Sequence, residues 1–228
     1  EMYKNNYCSK IVKKFYIQLL INVLHTNFNK TNEAKKSNKL LLQILPSIIS
    51  NINYKFAETA LIILNFICSK TQLNQLQIDE ILLKLVSTLN AEKPQLNERL
   101  LLTLDHVLLS QNVKHGLSSK LVEALLRFDA KNNHLLTQLF VAIQYKFKIK
   151  IPVILTKQFI ANINGETADR HGKDAQLQCL KQLLLHYDFN ASDQELICDK
   201  VLAQLLSSSS SHHGHGALIE VIDLIKQN

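Results

Sequence analysis

Ala60-Leu61-Ile62-Ile63-Leu64-Asn65-Phe66-Ile67-Cys68 is the stretch on which the fold reading turns. It is apolar on nearly every side of a helix, as befits a helix covered by several neighbours. It is also only about half as long as a bilayer span requires. Such a segment belongs in the interior of a helical protein.

Working outward, apolar residues recur at helical spacing along the whole chain, and strand-type alternation is nowhere sustained. Ile17, Leu20, Val23 and Leu24 make one stripe, and Leu61, Leu64 and Ile67 a second. Leu101, Leu104, Val107 and Leu108 follow, then Leu177, Leu180, Leu183 and Leu184, and finally Leu218, Val221, Leu224 and Ile225. Further helical segments lie near 38–52, 77–90, 117–129, 153–164 and 193–207. About eleven helices are expected. Pro94 suits a first helical turn, where its missing N–H is no loss. Ser192 with Glu195 reads as a capping box.

Composition agrees. The 228 residues include 5 Gly and 3 Pro, too few for the turns of a sandwich, a barrel or a Rossmann fold. With 46% hydrophobic and 20% charged residues the chain is globular. Its net charge of +7 biases it toward acidic partners. Four Cys, widely spaced and without a CxxC pair, suggest neither a disulfide framework nor a zinc knuckle, and point to a reducing intracellular compartment. Cys68, Cys179 and Cys198 read as small core residues.

Leu64, Leu104, Ala142, Leu180 and Val221 fall in equivalent positions of their stripes, with steps of 38 to 41 residues. A two-helix unit at that period stacks on its neighbours because alone it cannot bury its apolar face. In period and apolar pattern the chain resembles the HEAT/armadillo superfamily over nearly its whole length. The resemblance implies an all-α, right-handed solenoid of about five to six antiparallel helix pairs. Residues 1–228 then form a single domain, a segment of a longer protein, with a Ser/His-rich linker at 207–216 before the last helix. Asn164 to Asp174 is expected to be an exposed loop.

The residues offer little for chemistry. Gly165 and Gly172-Lys173 depart from a phosphate-binding loop in spacing and in the residue after the Lys. His212, His213 and His215 lack a nearby Cys or carboxylate to complete a metal site. Asp105-His106 and Asp169-Arg170-His171 are sequence neighbours, which on a helix point about 100° apart. No catalytic residue, cofactor or metal is therefore expected. Alkylpurine DNA glycosylases are also built from HEAT-like repeats. Their resemblance would imply a cleft with Trp among its aromatics, and Trp is absent here.

The remaining pattern is a Lys set just ahead of the apolar stripe: Lys39-Leu40-Leu41, Lys84-Leu85-Val86, Lys120-Leu121-Val122, Lys200-Val201-Leu202 and, one residue looser, Lys157 before Phe159. Apolar positions one, two and five places later put the buried stripe about 150° away, so these Lys face outward. The resemblance implies that second helices line a concave groove. Lys39, Lys84, Lys120, Lys157 and Lys200 then form a partner-binding ladder for an acidic protein segment on a scaffold module. Nucleic acid is the second choice of partner, and no membrane partner is expected.

Overall fold

The computed structural model describes residues 10–28, 34–52, 57–113, 116–162, 170–207 and 212–227. Among them there are eleven α-helices and no strand. The helices are α1 (Lys10–Phe28), α2 (Ala34–Ser50), α3 (Ala57–Lys70), α4 (Gln75–Ser87), α5 (Pro94–Ser110) and α6 (Ser119–Lys131). Then come α7 (Leu135–Gln144), α8 (Ile151–Asn162), α9 (Arg170–His186), α10 (Ala191–Ser207) and α11 (His212–Gln227). No helix is long and apolar enough to cross a membrane among the described residues.

The chain divides into two compact units, Glu1–Thr88 with Arg99–Asn112, and Leu89–Glu98 with Val113–Asn228. In the first unit α1 packs on α2 and α3, and α2 on α3. Its core holds Leu24, Leu45, Leu64, Ile67, Leu85 and Leu104. Polar side chains tie α5 to α3. Asn65 donates to Thr103 at 3.3 Å, and Gln111 at the end of α5 clamps the α3–α4 connection. The Gln111 amide donates to the carbonyls of Cys68 and Thr71 and accepts from Leu73 N–H. These are buried backbone groups that an apolar side chain would leave without partners.

In the second unit α6 packs on α7, α8 on α9 and α10 on α11. Alternate helices also touch: α7 with α9, α8 with α10 and α9 with α11. α6 also packs on α9. Phe140, Phe159, Leu180, Leu183 and Leu218 fill the core, each at 1% exposure or less. The same amide device recurs, because Gln158 of α8 both donates to Leu117 C=O and accepts from its N–H. The last helix folds back, with Leu218 and Val221 fully buried.

Several local readings change. α10 starts at Ala191, and its first turn is held by Asn190, whose Oδ1 accepts from Asp193 N–H at 2.9 Å; Ser192, two residues later, is already inside the helix and does not cap it. The capping box is at Asn74 and Gln77, on α4. α9 begins at Arg170, so Gly172-Lys173 lies in a helix and cannot wrap a phosphate as a loop would; Gly165 lies outside the described residues. α11 begins at His212, so the helix takes in the His/Gly part of the expected linker. Ala142 is exposed while Phe140 and Ile143 are buried, because the inward stripe of α7 runs Leu136, Leu139, Phe140, Ile143. The apolar register of that helix is thus set one position away from the one the period alone suggests.

Candidate surface on the even-numbered helices

Each of the five Lys lies on an even-numbered helix: Lys39 on α2, Lys84 on α4, Lys120 on α6, Lys157 on α8 and Lys200 on α10. The side chain of Lys39 is outside the described residues. Lys120 is exposed; Lys84, Lys157 and Lys200 are half-buried. None of these four makes an ion pair among the described residues.

In the second unit two contacts fix the register of α8 against α10. Lys150 Nζ meets the buried Asp193 carboxylate at 2.9 Å, and Gln204 donates to Ala161 C=O at 3.2 Å. Both pairs are 43 residues apart, and so are Lys157 and Lys200, which lie between them. Those two Lys therefore lie at the same level along their helices. Lys120 lies on α6, whose entry at Leu117 is held by Gln158 of α8.

α8 has no exposed residue at all. Its partly open strip is Ile154, Lys157, Gln158, Ala161 and Asn162, spaced as one side of a helix. Gln158 is held by Leu117, which leaves the Lys157 ammonium as the only charge on that strip. α10 beside it exposes Leu202 at 53% and Leu206 at 88%. The surface is not uniformly basic. Glu195 and Asp199 are exposed on α10, and on α6 Glu123 pairs with Arg127 at 2.6 Å. In the first unit Glu80 precedes Lys84 by one helical turn.

The other polar clusters hold structure. His106 Nε2 is 2.9 Å from Ser69 Oγ, a contact the sequence did not suggest. That hydroxyl already donates to Asn65 C=O at 2.8 Å, so Nε2 must be the donor to it and is not free to take its proton. Asp129, buried, accepts from Leu136 N–H and from His134 Nδ1, both at 3.0 Å. It thereby holds Asn133 and His134 in left-handed backbone at φ 52° and 59°. Burial pushes the Cys68 thiol up to about 12 and, with the Asp129 charge adding to it, raises Cys179 further still. Neither is a thiolate nucleophile at neutral pH. No group of His, Cys, Asp or Glu suited to a metal occurs among the described residues. In α11 the side chains of His212, His213 and His215 fall outside them, as do Asp169 and the side chains of Arg170 and His171.

One signal in the sequence was missed. Residues 1–57 hold nine of the 26 basic residues but only two of the 19 acidic ones. The rest of the chain balances at 17 against 17. All of the +7 thus sits before Glu58, and of the surface just described only Lys39 lies in that segment. Compared with protein families, curated proteins and solved structures, the chain matches none.

Proposed function

We propose that this chain is a non-catalytic interaction module of HEAT/armadillo-like architecture, taking a protein segment along the even-numbered helices of its second unit. The architecture is supported by the second unit, where hairpins α6/α7, α8/α9 and α10/α11 sit on one another through α7–α9, α8–α10 and α9–α11. This pairing is shifted by one helix from the odd–even pairs the period suggests. In this reading each hairpin covers the apolar face its neighbour cannot bury alone.

The observation that carries the function is the shared register of Lys157 and Lys200 on the packed helices α8 and α10. Two ammonium groups at one level suit a segment with carboxylates along one edge. Lys120, on α6, is a further proposed contact in the second unit, and Lys39 and Lys84 are proposed contacts within the first unit by itself. Charge steers and orients such a partner. A nucleic-acid module is the weaker reading, because Glu123, Glu195 and Asp199 are interleaved with the Lys and would face phosphates.

The test is selection of displayed helical peptides on the wild-type chain and on Lys157→Glu/Lys200→Glu. Acidic amphipathic sequences should be enriched on the first and lost on the second. Equal enrichment on both would refute the assigned face. Binding of a fluorescent single strand of nucleic acid, collapsing between low and moderate salt and abolished by the same substitutions, would instead establish the second reading.

A further inference from the structure

The connection between α7 and α8 alternates rings with cations: Tyr145-Lys146-Phe147-Lys148-Ile149-Lys150, with no acidic residue. Tyr145 is 82% exposed and Phe147 46%, while Ile143 before them and Ile149 after them are buried. The turn thus offers rings and ammonium groups to solvent and keeps its aliphatic side chains inside. It is held from several directions. Lys146 Nζ reaches the Glu98 carboxylate at 3.3 Å, and Lys150 Nζ that of Asp193 at 2.9 Å. Tyr187 Oη donates to Ile149 C=O at 3.3 Å, and Gln144 Oε1 accepts from Asp188 N–H at 3.0 Å. Lys148 is exposed and makes no ion pair among the described residues. The wider span 116–162, all of it described, holds seven Lys and Arg against two acidic residues. Of those two, Asp129 is buried and Glu123 is bound by Arg127.

We infer that this turn is a binding site for single-stranded nucleic acid, with bases stacked on Tyr145 and Phe147 and a phosphate on Lys148. It lies beyond the protein-segment reading and shares none of that reading's contacts. Every base has a π face, so open rings take it whatever the sequence, and interleaved ammonium groups meet the backbone between bases. A duplex already stacks its own bases, which leaves no face for the rings. The excess of five positive charges over 116–162, seven less two, draws a polyanion to this part of the second unit. Glu98 and Asp193 do not oppose it, because Lys146 and Lys150 cover them. Asp188, exposed on the next connection beside Gln144, is the carboxylate a strand would meet. A bilayer calls for aliphatic side chains around the rings, and here both Ile are buried.

The experiment titrates fluorescent oligo(dT) and oligo(U) of about twelve nucleotides, and a duplex of the same length, against the full chain by anisotropy. Vesicles of phosphatidylcholine with phosphatidylserine are run beside them. Single strands of either sugar should bind at least about tenfold tighter than the duplex. Tyr145→Leu keeps an apolar side chain without the π face and should weaken binding by about tenfold, whereas Tyr145→Trp should retain it. Lys148→Gln should lower the slope of log affinity against log salt by about 0.7, one counterion's worth for a single strand. Asp188→Asn should tighten binding. The Tyr145 and Lys148 variants should melt like the wild type, since both side chains are in solvent. Lys157→Gln/Lys200→Gln should keep most of the binding, which separates this site from the strip on α8 and α10. Duplex bound as tightly as single strands overturns the inference, and so do Tyr145→Leu and Lys148→Gln both binding like the wild type. Failure of both oligonucleotides to bind overturns it as well, whether or not the vesicles are captured through Tyr145.

Discussion

Helices α1 and α8 are both rich in apolar residues on all sides, and they end in opposite surroundings. α8 is enclosed so completely that no residue of it is exposed, and Phe159 sits at 1%. α1 keeps one side in the core and turns Phe15, Leu19 and Val23 outward. Apolar content says that a helix seeks cover, but not how many neighbours arrive to give it. The difference lies in the context. α8 is crossed by α9 and α10 and reached by the Gln158 clamp to Leu117, whereas α1 meets α2 and α3 only on its inner side.

The largest effect should come from truncating the enclosed helix. Phe159→Ala removes a ring with no room to relax and is expected to destabilise the fold by about 3–5 kcal/mol, read from the urea midpoint. A loss under about 1 kcal/mol would mean that α8 is far less tightly covered than its burial implies.

Next in size are the amide clamps. Gln111→Ala leaves Leu73 N–H and the Cys68 and Thr71 carbonyls without partners in a buried setting, at about 1–3 kcal/mol. Native-state hydrogen exchange should show protection lost first at Leu73. Faster exchange spread evenly over the first unit would count against a local clamp.

What the sequence made legible follows from what each signal depends on. Helix number and type depend on local periodicity, and eleven helices were readable from the stripes alone. The capping of α10 was misplaced because Ser192-x-x-Glu195 and Asn190-x-x-Asp193 overlap, and only the backbone decides which residue leaves the helix. The phase of helix pairing was not legible, since an array of similar stripes can be cut into pairs in either of two ways. At the candidate surface the offset to the stripe did not settle the exposure of the Lys: Lys120 is exposed, Lys84, Lys157 and Lys200 are half-buried, and Leu202, counted in the stripe of α10, is exposed. The shared register of Lys157 and Lys200 was not legible either, because it rests on Lys150–Asp193 and Gln204–Ala161, contacts 43 residues apart. The spacing of Phe15, Leu19 and Val23 was in plain view, but spacing cannot separate an exposed row from a covered one. The segregation of charge into 1–57 is countable in the sequence and vanishes in a single sum.

A smaller effect concerns pH. Cys68 titrates near 9.0 when unfolded and near 12 when folded, so the folded state resists its ionisation. Its share of stability is complete below pH 9 and falls as pH climbs toward 12, at up to about 1.4 kcal/mol per pH unit. Cys68→Ala should flatten that part of the alkaline stability curve relative to wild type, and parallel curves would show that the thiol is accessible when folded.

The smallest expected effect is the most telling for the comparison. Phe15 carries the same ring as Phe159, but 68% of it is already in water, so little solvent-shielded contact exists to lose. Phe15→Ala should change the urea midpoint by no more than about 0.5 kcal/mol, and Leu19→Ala likewise. The exposed ring contributes little to folding, and removing it lowers the apolar area the native state must keep solvated. Should Phe15→Ala cost as much as Phe159→Ala, the ring would be packed inside the first unit, and the two helices would be alike after all.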